Sequence, residues 1–240
     1  MNVGESRTDE LWVIIAAAGE SRRMGLPDGE SKQFLLLRGE PIINHSVRRL
    51  LAMPEVAGLV VVVHPSHTVR FASALAAFDD SKPLLIAEGG RLRSDSVRAG
   101  LLMVPPSATA IAVHDGARPL FARHVFERSI DALDSFDGAV PAVEVSDTLK
   151  RADAGGLIET TIDRRGLWSV QTPQVFQASV LREVYAHKEF DGATDDAALV
   201  ERAGYRVGLV PSTPANVKIT TPADLPLAGA LLAWEIEADV

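Results

Sequence analysis

The chain has 240 residues, 47% of them hydrophobic, a formal net charge of -8 at pH 7 and no cysteine. That size fits one large α/β domain, or a domain with a small appendage, with apolar residue enough for a full core. The charge opposes non-specific binding to nucleic acid or acidic membranes, and the missing cysteines exclude disulfides and thiolate metal sites, as suits a cytoplasmic protein. No apolar run approaches the ~20 residues of a membrane span. Residues 1–10 are polar without an apolar core, so no signal peptide is expected.

Residues 11–17 are an unbroken apolar run, predicted as a strand buried on both faces. The run ends in Ala16, Ala17, Ala18 and Gly19, and Arg22, Arg23 and Lys32 follow. Small residues allow close approach to backbone amides that can hold an anion, and the basic side chains add positive charge. This suits a nucleotide triphosphate held at the carboxyl end of the first strand, where open α/β sheets bind ligands. A polar surface loop is the alternative. Residues 25–31, with two glycines and a proline, read as a mobile lid.

Pro41 is predicted in the first turn of a helix whose apolar face is Ile43, Val47, Leu50 and Leu51. A second strand covers 59–63, and Ser66 is expected to cap a helix carrying Val69, Leu75 and Phe78. After a strand at 84–87 come Gly89 and Gly90, which permit close approach of a flat base, and a helix start bearing Arg93 and Ser96. A glycine turn with a capping serine would look the same. The strand at 110–114 delivers Asp115 to its carboxyl end beside Arg118. A lone carboxylate there suits Mg²⁺ shared with substrate phosphates, or a plain Asp–Arg pair. His114, its neighbour on the strand, points to the opposite face and reads as structural. His64 and His67 lack a third ligand and read as surface or capping residues.

Val125, Phe126, Ile130 and Leu133 mark another helix, and 138–143 another strand. The rhythm then breaks. Turn clusters at 150–156 and 163–166 flank a short strand-like stretch at 157–162, so 145–172 is read as an inserted β-hairpin arm. An arm with little core of its own packs on something, and a second subunit is the expected partner. Thr194 reads as a helix cap, Lys218 lies in a strand-like run and could face solvent, and Thr221 with Pro222 is expected to open a helix through about Trp234. The whole reads as a mostly parallel twisted sheet with helices on both faces. Dinucleotide-binding, P-loop, nucleophile-elbow and zincin motifs do not occur.

Taken in order, Ala-Ala-Gly with Arg-Arg-Met, Lys-Gln-Phe, Gly-Gly-x-x-Arg-x-x-Ser-Val, His-Asp-x-Ala-Arg-Pro, Asp-Thr-Leu-Lys, Asp-Arg-x-Gly-Leu-Trp, Thr-Pro-Gln, Thr-Asp-Asp and Asn-x-Lys-x-Thr closely resemble the 2-C-methyl-D-erythritol 4-phosphate cytidylyltransferase family, over about 11–234. The resemblance implies a single Rossmann-like nucleotidyltransferase domain over 1–240, CTP as co-substrate, Mg²⁺ held with help from Asp115, and a homodimer whose arms at 145–172 cross over. It places the nucleotide at Ala16, Ala17, Ala18, Gly19, Gly89, Gly90, Arg93, Ser96 and Asp115. It gives Arg23 and Lys32 to the transition state, and Arg164 and Lys218 to the acceptor phosphate. Asp115, Thr148, Thr172 and Thr194 line the acceptor pocket, with Thr148 and Arg164 supplied by the partner's arm. The sequence departs at Ala16, where proline is frequent, at Gly116, where alanine is usual, and in a longer loop with Ser31 before Lys32. Rival readings are a cytidylyltransferase for another polyol phosphate, such as ribitol 5-phosphate, and a non-catalytic nucleotide sensor. Arg23, Lys32, Asp115 and Lys218 together argue against the sensor, which needs no catalytic cations.

Overall fold

The structure, a computed structural model, describes residues 10–19, 21–27, 29–78, 81–187 and 193–238. The polar stretch 1–9, Asp28 of the expected lid and residues 239–240 lie outside the described residues. The strands expected from apolar runs form the centre of the main sheet: β1 (Leu11–Ala16), β4 (Val56–Val63), β5 (Leu84–Glu88) and β6 (Ala110–Asp115). All four run parallel, in the order β6-β1-β4-β5. β7 (Gly138–Glu144) lies farther out, and β12 (Val207–Pro211) pairs parallel with it. Between β6 and β7 runs β11 (Gln174–Gln177), antiparallel to both; β10 (Trp168–Val170), just before it, pairs antiparallel with β7.

The two-residue period of the strands sorts their side chains into two cores. Leu11, Val13 and Ile15 of β1 join Leu59, Val61 and Val63 of β4 on one face. Helices α1 (Ile42–Leu51), α2 (Thr68–Leu75) and α4 (Arg123–Asp131) cover that face with Val47, Phe71 and Phe126. Trp12, Ile14, Val60 and Val62 face the other way, under α3 (Arg93–Met103), α5 (Ala178–Ala186) and α6 (Asp196–Arg202). Each large side chain so buried contributes roughly 1.5–3 kcal/mol. Gly100 lets α3 lie directly on β1, because a Cβ there would come within 2.6 Å of Ile14 Cγ2. That contact sets how closely the second half of α3 lies on β1 and β4. A third cluster joins Met24, Leu37, Ile42, Leu120 and Ile219 to α7 (Asp224–Ala238), anchoring the loop after β1.

Several local expectations are corrected. Pro41 belongs to a small hairpin, β2 (Leu36–Leu37) with β3 (Glu40–Pro41), and sits just ahead of α1 rather than in its first turn. Ser66 is not a helix cap: it lies in the 3-10 turn Pro65–His67, where its N–H donates to His64 Nδ1. Val69 is 85% exposed, so α2 packs through Phe71 and Leu75 instead. The cap of α6 is Asp195, which accepts from the Ala198 N–H, not Thr194. Helix α7 opens at Asp224 and runs past Trp234; Thr221 donates its N–H and hydroxyl to the Asp224 carboxylate.

Within 145–172, β8 (Leu149–Ala152) and β9 (Ile158–Ile162) form a two-stranded ladder separate from the main sheet. Leu157 and Ile158 on it are 72% and 59% exposed. The chain rejoins the main sheet at Trp168, so the separate ladder is narrower than 145–172.

Candidate active site

A cleft of about 950 Å³ opens at the carboxyl ends of β1, β4, β5 and β6. The chain leaves β1 towards β4 on one side while β6 flanks it on the other. This is the switch point where open α/β sheets leave a crevice. Ala16 at the end of β1 with Ala18 and Gly19 after it, His64 after β4, Gly89 and Gly90 after β5, and Asp115 at the end of β6 line it. So do Arg22, Arg23, Lys32, Arg91, Arg93 and Lys218, against one carboxylate, Asp115, among the described lining residues.

The loop after β1 is built to present cations. Ser21 takes the left-handed conformation at φ 50°, and its hydroxyl accepts the Lys32 N–H at 3.0 Å. Met24 is buried in the third cluster, which seats the 3-10 turn Arg22–Met24. Lys32 reaches across the cleft and donates from Nζ to the Ile219 carbonyl at 2.8 Å. Burial, then the nearby Lys218 charge, lowers its pKa to about 8. Within residues 25–31, Ser31 caps the turn Lys32–Phe34 and Glu30 pairs with Arg70 at 2.8 Å. The Arg70 guanidinium lies 4.1 Å above the Phe34 ring.

Asp115 is the hub. Its carboxylate meets Lys218 Nζ at 2.7 Å, Arg118 Nε at 3.6 Å and Arg93 Nε at 3.8 Å. Burial alone would raise its pKa; Lys218 and Arg93 outweigh that and bring it to about 2. Its backbone is held from behind. The Asp115 N–H donates to Thr172 Oγ1 at 3.0 Å, and Thr172 Oγ1 lies 3.1 Å from His114 Nδ1. His114 Nε2 is 3.1 Å from the Arg118 carbonyl, which can only accept. The proton therefore sits on Nε2, and the Thr172 hydroxyl donates to Nδ1. His114 is fully buried and, chiefly through that burial, its pKa falls to about 3. The expectation that it is structural agrees with this packing.

Gly89 and Gly90 leave no room for side chains. A Cβ on Gly89 would come within 2.7 Å of both Ala18 Cβ and Ser96 Oγ, and one on Gly90 would strike Asp95. Asp95 accepts the Leu92 N–H at 3.0 Å, which fixes the entry to α3. Arg93, the first residue of α3, also donates to Asp196 Oδ2 at 2.6 Å. Burial would lower its pKa, but the Asp196 charge carries it above the ordinary arginine value.

The cleft thus brings together Ala16, Ala18, Gly19, Arg23, Lys32, Gly89, Gly90, Arg93, Ser96, Asp115 and Lys218. Ala17 instead turns into the core. Lys218 is 40% exposed, yet it is engaged with Asp115 rather than simply facing solvent. The Thr172 hydroxyl is taken up behind Asp115. Thr148, Arg164 and Thr194 are exposed and are not lining residues of their own chain's cleft; Arg164 donates to the Ser146 carbonyl.

Sequence reasoning missed a supporting network. Arg118 donates to the Asn216 carbonyl at 2.7 Å, and Asn216 Nδ2 donates to the Thr172 carbonyl at 2.9 Å and to Gln171 Oε1 at 3.1 Å. These bonds, with Ile219 N–H to Ala117 O at 2.8 Å, carry Lys218 to Asp115 without a strand. The signal available was Asn216, two residues before Lys218 in Asn-x-Lys-x-Thr; nothing in its spacing names a partner.

A profile of the family described as 2-C-methyl-D-erythritol 4-phosphate cytidylyltransferase matches residues 11–234. The enzyme of that name from Symbiobacterium thermophilum is 43% identical over 225 residues, covering 93% of each chain. The bifunctional enzyme IspD/IspF of Granulibacter bethesdensis is also 43% identical, but the match takes in 90% of this chain and 54% of that longer one. The crystal structure of the Thermus thermophilus cytidylyltransferase superposes with a TM-score of 0.73 at 33% identity, over 92% of this chain and 98% of that one. The cationic cleft, the order of its motifs and a match running almost end to end agree: this chain belongs to the 2-C-methyl-D-erythritol 4-phosphate cytidylyltransferase family.

Proposed function

We propose that the chain transfers the cytidylyl group of CTP to 2-C-methyl-D-erythritol 4-phosphate, giving 4-diphosphocytidyl-2-C-methyl-D-erythritol and pyrophosphate for isoprenoid precursor synthesis. One observation carries the reading: six basic side chains converge on a cleft with a single described carboxylate, in a chain of net charge -8. A phosphate oxygen of the acceptor, already ionised at pH 7, attacks the α-phosphorus of CTP. The bond from that phosphorus to the bridging oxygen breaks, and pyrophosphate leaves with the electron pair. No general base is needed. The barrier is repulsion between two polyanions and charge growing at the α-phosphate, so catalysis is positioning and fixed positive charge.

Arg23 and Lys32 take the triphosphate and its transition state. The backbone from Ala16 to Gly19, with Gly89, Gly90 and Ser96, takes the nucleoside. Lys218 takes the acceptor phosphate, beside the residues that Thr172 holds in place. A divalent ion fits this donor set: one buried carboxylate, completed by waters and substrate phosphates, suits Mg²⁺. Asp115 would hold it, and the ion would add positive charge to the phosphates.

The hairpin β8–β9 supports a homodimer. A lone hairpin is marginal in water, and its exposed Leu157 and Ile158 want a cover. The arm of one chain would then bring Thr148 and Arg164 to its partner's cleft, with Thr194 at the same acceptor end. Use of CTP, in a chain without cysteine, supports a cytoplasmic enzyme. The test is pyrophosphate release from CTP and Mg²⁺ with methylerythritol 4-phosphate and ribitol 5-phosphate as parallel acceptors. Turnover with the first alone is expected; turnover with ribitol phosphate alone would keep the nucleotide site and overturn the acceptor.

A further inference from the structure

Behind the cleft lies a buried charge that the reaction does not use. Asp196, the first residue of α6, is 0% exposed. One of its oxygens accepts from Arg93 Nη2 at 2.6 Å, and the other accepts from the Tyr185 hydroxyl of α5 at 2.5 Å. A buried carboxylate is tolerated only when both oxygens are so satisfied. The same guanidinium lies 3.8 Å from Asp115, across the cleft wall. Arg93 is thus held between two carboxylates, one outside the cleft and one in it. If Asp196 lost its charge, Asp115 would be the remaining carboxylate of the two, and the guanidinium would close on it.

We propose that Asp196 and Tyr185 are positioning residues, which hold the Arg93 guanidinium off Asp115 and aimed at the phosphates of a bound nucleoside triphosphate. This rests on the reading of the cleft as a CTP site. Tyr185 is itself fixed: its carbonyl accepts from Arg98 Nε at 3.2 Å. The pair ties α5 and α6 to the start of α3 on the same face of the sheet, so the nucleotide wall is set by the helices packed beside it.

The experiment compares full-length Asp196→Asn, Tyr185→Phe, Arg93→Gln and the double variant Arg93→Gln/Asp196→Asn. Steady-state kinetics with varied CTP, calorimetric CTP binding and thermal melts are read together. Asp196→Asn, Tyr185→Phe and Arg93→Gln are each expected to raise the KM and Kd for CTP about tenfold, with kcat moved less. Because Asp196 acts through Arg93, the double variant is expected to bind no worse than Arg93→Gln alone. Unchanged CTP binding in folded Asp196→Asn and Tyr185→Phe, or additive losses in the double variant, would overturn the proposal. If Asp196→Asn does not fold, Tyr185→Phe, which removes a single oxygen, carries the comparison. A wild-type chain that binds no CTP overturns the nucleotide reading and this inference together; wild-type binding with unaffected variants overturns this inference alone.

Discussion

At the scale of single residues, the free site is a balance of charges waiting for anions. Lys32 is the clearest case, since burial beside Lys218 has lowered its pKa to about 8. Its charge is present below that pH and lost above it, so kcat/KM for CTP is expected to fall on the alkaline side with a midpoint near 8. Bound triphosphate favours the ammonium, so the corresponding fall in kcat should lie at higher pH. Parallel profiles of kcat and kcat/KM would contradict this. For stability the sign is opposite: a lysine whose folded pKa is depressed disfavours the fold while protonated, and that cost fades as pH rises from about 8 towards 10.5. Lys32→Ala should lower turnover by roughly 10²-fold, the scale for removing one preorganised donor. Gly89→Ala should fail differently. Its new Cβ would meet Ala18 and Ser96, so CTP binding should drop in a titration, with a lowered melting temperature from the same overpacking.

At the scale of elements, α3 and the hairpin each make a separate prediction. Gly100→Ala would force α3 away from Ile14, and overpacking of this kind costs about 1–3 kcal/mol, readable as a lowered denaturation midpoint. If hairpins supply the partner's cleft, a mixture of Lys32→Ala and Arg164→Ala chains refolded together should regain activity that neither has alone. One site of the mixed dimer then has an intact Lys32 and an intact arm. No regain on mixing would count against arm exchange. The parallel strands were legible in the sequence because strands covered on both faces are unbroken apolar runs, as at 59–63. The antiparallel β11, the edge strand β12 and helices α5 and α6 were not. β11 has four residues and α6 seven, too few to show a period. The misplaced caps at Ser66 and Thr194 share a cause, for each has a competing polar neighbour, His64 or Asp195, that makes the bond instead.

At the scale of the whole molecule, an acidic chain gathers six of its 24 lysines and arginines around one cleft at one end of the sheet. Raising ionic strength should therefore raise the KM for CTP more than it lowers kcat, because screening acts on capture of the anion before contact. The site was legible as far as single motifs reach: the alanine–glycine turn, Gly89 and Gly90, and Asp115 all lie at strand ends that the apolar runs announce. What the sequence hid is what binds distant segments together. Asn216 reaching Gln171 and Thr172, and Asp196 reaching Arg93 across 103 positions, have no local periodicity to betray them. Thr172 shows the same limit, a motif residue whose hydroxyl holds the backbone of Asp115.

The most direct test of cytidylyl transfer is to follow CTP labelled at its α-phosphate, with methylerythritol 4-phosphate and Mg²⁺. All the label is expected to pass to the diphosphocytidyl product and none to pyrophosphate, and Lys32→Ala is expected to slow this transfer. Label left in CTP or released as free CMP, with the acceptor unchanged, would contradict it.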